Sequence, residues 1–152
     1  MKYFLFTLLT LTLTCFCFAE FIVPQNNAPL MAATNSENYA YRYIVELYNV
    51  GDTLNLTKEI TQFKATYPES VYLPYIKFIE GNLAMEANAF SQAIDIYNSL
   101  LETNLSQNVR SEIILNYAYC LTQLKQYDSA LKLLQRLETE TGNPTYLELA
   151  NS

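Results

Sequence analysis

The stretch "AFSQAIDIYNSLL" (Ala89–Leu101) returns 37 positions later as "QYDSALKLLQRL" (Gln126–Leu137), the same pattern in different letters. Phe90 falls on Tyr127, Ala93 on Ala130, Ile94 on Leu131, Tyr97 on Leu134 and Leu100 on Leu137. Upstream, Gly81 falls on Ala118, and one more step of 37 towards the N-terminus reaches Leu56, Ile60 and Phe63. Apolar residues three and four apart lie on one face of an α-helix. One helical hairpin is therefore written three times.

Working outward, apolar residues keep helical spacing in six segments: Tyr43–Tyr48, Ile60–Phe63, Tyr75–Leu83, Ile94–Leu101, Ile113–Leu124 and Leu131–Leu137. No segment alternates cleanly with period two, so the chain reads as all-α. Gly81, Ala93, Ala118 and Ala130 are small where paired helices must cross closely. Phe90, Tyr97, Tyr127 and Leu134 are large where a gap between helices must be filled. Gly51 is expected in a turn and Gly142 just past the last helix, while Pro68, Pro74 and Pro144 punctuate the joins. The bland alternative is a helical bundle with accidental self-similarity.

The N-terminus is of another kind. Lys2 is the only charge before Glu20, and Tyr3–Phe18 is an apolar run broken only by threonines and two cysteines. Cys17 and Ala19 occupy the small-residue positions of a signal-peptidase site, so residues 1–19 are expected to be a signal peptide cleaved before Glu20. Cleavage leaves 133 residues, 152 less 19. An uncleaved anchor is the alternative, although the run is shorter than the roughly 20 residues a membrane span needs. Thr12 and Thr14 before Cys15, and Thr14 and Phe16 before Cys17, fit a lipobox poorly. Residues 20–37 mix proline, asparagine and small residues without period and are expected to be a flexible lead-in. Residues 145–152 are expected to be a short tail, too short to cap an exposed helical face.

Composition excludes several functions. Histidine is absent, which removes the commonest general base and the commonest metal ligand. There is no Gly-rich phosphate loop and no cysteine pair to hold zinc, so no catalytic residue, metal or cofactor is expected. The closest pair of acids considered, Glu138 with Glu140, is expected to be solvated at a helix end. Cys120, alone after cleavage, reads as a buried small residue. Net charge is −6, or −7 without Lys2, and no basic stripe exists for nucleic acid or an anionic membrane. The triplets "NLT" at Asn55 and "NLS" at Asn104 match glycosylation sequons and are taken as chance matches.

The three blocks resemble the tetratricopeptide repeat family. In the second block its pattern meets Lys77, Glu80–Gly81, Ala84, Ala93, Tyr97 and Leu105; in the third, Ile114, Tyr117–Ala118, Leu121, Ala130 and Leu134. The first block is the most degenerate, with Ala40, Tyr43–Ile44, Leu47, Leu56, Ile60 and Pro68. The period of 37 exceeds the family's usual roughly 34, which is assigned to longer joins around Tyr67–Tyr72 and Asn104–Arg110. The resemblance implies three stacked helix-turn-helix repeats over 38–144, at 37–70, 74–107 and 111–144, forming a short right-handed solenoid. Joins such as "YPES" and "LSQN" look like those of bacterial envelope proteins of this family, which implies a periplasmic or envelope location.

In that family the first helix of each pair lines a concave groove. The positions so implied are Tyr41, Val45, Tyr48 and Asn49; Tyr75, Phe78, Asn82 and Glu86; and Glu112, Leu115, Tyr119, Thr122 and Gln123. Tyrosine offers large contact area with a polar tip, which suits peptide recognition; packing between repeats is the other use for these rings. None of the positions is basic, which argues against a clamp for a C-terminal carboxylate. The expectation is a non-catalytic protein-interaction scaffold binding peptides or other envelope proteins; the uncapped C-terminal face is expected either to meet a partner or a second copy of the chain, or to mark the front part of a longer repeat array. A secreted structural or effector protein acting by oligomerisation is the alternative.

Overall fold

A computed structural model describes residues 34–141; the signal-peptide expectation, most of the lead-in, Gly142, Pro144 and the tail lie outside them. The described residues form six helices and no strand: α1 (Asn35–Val50), α2 (Thr53–Thr66), α3 (Leu73–Glu86), α4 (Phe90–Leu100), α5 (Gln107–Gln123) and α6 (Tyr127–Thr141). No helix among them is long and apolar enough to cross a membrane. The chain divides after Val71 into two compact units, the first holding α1 and α2, the second α3 to α6.

The repeat is clearest in the turns. Gly51, Asn88 and Lys125, each 37 residues from the next, all have positive φ, at 73°, 59° and 60°. Each donates its backbone N–H to the carbonyl three residues back, on Tyr48, Met85 and Thr122. The next residue in each case reaches back five, Asp52 to Leu47, Ala89 to Ala84 and Gln126 to Leu121. This left-handed pair of bonds satisfies carbonyls that a helix C-terminus otherwise leaves open. The same three residues then accept from Leu56, Ala93 and Ala130, starting the second helix of each pair. A single backbone device thus makes all three hairpins.

In the first unit, helix α1 begins earlier than expected. The lead-in was expected to reach Glu37, but "TNSE" (Thr34–Glu37) is a capping box: Thr34 Oγ1 accepts from Glu37 N at 3.2 Å and Glu37 Oε2 accepts from Thr34 N at 3.2 Å. Two orphan amide donors are satisfied reciprocally, so the helix starts at Asn35. The Ser70 hydroxyl, from "YPES", donates to Glu37 Oε1 and ties the join to the start of α1. Asp52 caps α2, accepting from Asn55 N at 3.2 Å and from the Asn55 side chain at 2.6 Å. These bonds hold the Asp52 carboxyl below the usual range and occupy the first sequon's asparagine. Leu56, Ile60 and Phe63 of α2 are buried, as are Ile44, Val45 and Leu47 of α1.

In the second unit α3 packs on α4, α5 on α6, and α5 also on α4 and α3, so two hairpins stack. Pro74 sits in the first turn of α3, where its missing N–H costs nothing. A Cβ on Gly81 would lie 2.6 Å from Tyr97 Cε1 and 3.1 Å from Ile96 Cγ2, so the closeness of α3 and α4 requires glycine. At the equivalent crossing Ala118 joins Leu121, Ala130 and Leu134 in a buried cluster, with Ile94, Leu115, Tyr117 and Leu133 against it.

Candidate functional site

Of the implied groove positions on α1, Tyr41 and Val45 are buried, Tyr48 is half-buried and Asn49 is exposed. On α3, Tyr75 is half-buried, Glu86 is exposed, and Phe78 and Asn82 are each only 1 % exposed. On α5, Glu112, Leu115 and Thr122 are half-buried, and Tyr119 (49 % exposed) and Gln123 face solvent. Tyr41, Val45, Phe78 and Asn82 are therefore corrected from surface positions to core positions. The first-helix stripe is wider than the surface it presents, and its inner edge packs against other helices.

Asn82 shows why. Its Oδ1 accepts from Tyr97 Oη at 2.8 Å and from Asn116 Nδ2 at 3.1 Å, joining α3, α4 and α5 through one buried oxygen. Among the described residues no buried side-chain nitrogen or oxygen lacks a partner. A satisfied polar network of this kind fixes a single packing arrangement, because leaving any member unpaired is costly. Phe78 stacks in tilted fashion on the Tyr97 ring, with centroids 6.2 Å apart.

The second unit's remaining implied groove positions are aromatic, acidic or polar apart from Leu115. Tyr119 meets Phe90 edge-on, with centroids 6.2 Å apart, so the exposed ring is held by a half-buried one. The Thr122 hydroxyl is spent locally, donating to the Tyr119 carbonyl at 2.7 Å. Burial pushes Glu112 up to about 7 and also raises Tyr75. Tyr117 is raised by burial and by the nearby Asp95 charge.

No group of histidine, cysteine and carboxylate side chains among the described residues could hold a metal ion. Burial raises the Cys120 thiol to about 11, opposite to what a nucleophile needs. Glu140 is not simply solvated, which corrects the expectation for the Glu138–Glu140 pair. It accepts from Arg136 Nε at 2.7 Å and from Arg110 Nε at 3.4 Å, and the Arg136 hydrogen bond chiefly lowers its carboxyl. Arg110 also donates to the Leu101 carbonyl at 2.7 Å, joining the end of α4 to the last turns of α6.

Sequence reasoning missed one face altogether. Tyr39 is 72 % exposed and Tyr43 and Val50 are also exposed, along the outer side of α1. Tyr43 was read as part of an apolar core stripe, yet Tyr39 and Tyr43 stand four apart on the side away from buried Tyr41 and Ile44. The 74-residue equivalence with Ile113 and Tyr117 was the signal available.

A family model for the tetratricopeptide repeat-like domain matches residues 25–150. No curated protein and no solved structure matches at a significant level. With three identical hairpin turns, small residues at the crossings and the family match over most of its length, the chain belongs to the tetratricopeptide repeat-like domain family.

Proposed function

We propose that this protein is a non-catalytic interaction scaffold, exported to a bacterial envelope, that holds an uncharged or basic peptide segment of a partner protein on its first-helix surface. Membership of a repeat family built for protein contacts supports the scaffold role. The observation that carries the finer reading is the exposed Tyr119 ring of α5, held by Phe90 of α4, with Glu86, Glu112 and Gln123 among the other implied groove positions and no lysine or arginine at any of them. A net charge of −6 favours basic ligands at longer range.

Export rests on the apolar residues 3–18 behind Lys2, and the aqueous contacts it implies are with other envelope proteins. The test is binding of length-matched peptides, basic against acidic, followed by fluorescence anisotropy. Basic or neutral peptides are expected to bind and Tyr119→Ala to weaken them about tenfold, in line with an aromatic contact centre. Equal binding of acidic and basic peptides would contradict the reading.

A second reading, association of the chain with itself, is favoured by exposed Tyr127 and Leu131 on α6.

A further inference from the structure

The three-fold internal repeat says what kind of surface those exposed residues are. Within the second unit, α4 receives α5: Phe90 meets Tyr119, and Ile94 packs against the α5–α6 cluster. Thirty-seven residues on, Phe90 and Ile94 become Tyr127 and Leu131, on α6, which are 62 % and 36 % exposed. They occupy the positions that take the first helix of a following pair. Among the described residues no helix follows α6 to cover them.

The complementary surface is on α1. Asn116 of α5 reaches Asn82 in the preceding pair, so the stripe it shares with Ile113 and Cys120, at helical spacing, faces that pair. All three are buried. Seventy-four residues earlier, two repeat lengths, the same stripe reads Tyr39, Arg42 and Glu46, and all three are exposed. Tyr43, equivalent to Tyr117, which like Ile94 packs against the cluster, is exposed as well.

Among the described residues the chain thus carries equivalents of both sides of the α4–α5 interface, each uncovered, with the difference that Val45, the equivalent of Tyr119, is buried in α1. We infer that a second copy of this chain is the occupant: the Tyr39–Tyr43 face of α1 in one copy docks on the Tyr127–Leu131 face of α6 in the next, head to tail. The inference deepens the self-association reading above. Such a contact is heterologous, so it builds rings or open chains of copies. Tyrosine at three of the four anchor positions fits an interface, where aromatic residues are enriched.

The test uses the full chain in a mild detergent that disperses residues 1–19, with mass measured by light scattering across concentration. Wild type is expected to grow past the dimer. Tyr39→Glu and Tyr127→Glu, each at an exposed position, are expected to stay monomeric alone and to form a one-to-one dimer, and nothing larger, when mixed. Leu131→Glu should repeat the Tyr127→Glu result, and helical circular dichroism checks that each variant folds. A monomeric wild type would overturn the inference. So would a Tyr39→Glu variant that still dimerises, which means two-fold pairing through α6, or two variants that fail to pair when mixed. Peptide binding at Tyr119 is read separately by anisotropy, so its failure leaves this result distinguishable.

Discussion

Lys125 holds φ at 60° with a full side chain, at the position where the first hairpin uses Gly51. A left-handed residue with a Cβ costs on the order of 1–2 kcal/mol, part of which glycine returns as unfolded-state entropy. Lys125→Gly is therefore expected to raise stability by about 0.5–1 kcal/mol in denaturant unfolding, and Asn88→Gly by less, because asparagine tolerates this region better. Gly81→Ala runs the other way: its Cβ at 2.6 Å from Tyr97 Cε1 pushes on a buried ring, with an expected loss of about 1–3 kcal/mol. The need for glycine at 81 was legible, because a small residue recurs there at the repeat spacing. The left-handed positions 88 and 125 were not, since asparagine and lysine carry no such mark on their own. Only alignment with Gly51 could have shown them.

At the scale of the element, α5 carries a half-buried carboxyl, Glu112, with its pKa pushed up to about 7 by burial. A carboxyl raised on folding binds its proton more tightly in the native state, so stability gains as pH falls through 7 and the gain is complete below the unfolded value near 4.5. Thermal unfolding at pH 8 and pH 5 should show more stability from this group at pH 5. Glu112→Gln should remove that difference and stabilise the protein at pH 8 by on the order of 1 kcal/mol, the partial exposure keeping it small. Helix existence and spacing were readable from the 3.6-residue period, whose apolar stripes each fall on one helix. The burial of the first-helix stripe's inner edge was not. Asn82 reads as a polar surface residue by type, and its burial depends on Tyr97 and Asn116, 15 and 34 residues away in the chain. Asn82→Ala is expected to cost about 2–3 kcal/mol, because it removes the buried oxygen that both Tyr97 and Asn116 donate to.

At the scale of the molecule, the fold is a consequence of writing one hairpin three times, and the proposed function rests on which faces the described helices leave uncovered. Family membership was legible in the sequence because small and aromatic residues keep a fixed spacing. The usable surface was less so, because a repeat motif marks the side of a helix and not how far neighbouring helices bury it. The most direct measurement of the scaffold account is site-specific photo-crosslinking in cells, with the reactive group at exposed Gln123 on α5 and, as a control, at exposed Gln92 on α4. The account predicts a discrete adduct with one or two other envelope proteins from position 123 and none from position 92. Adducts of equal yield from both positions, or none with another protein from position 123, would contradict it.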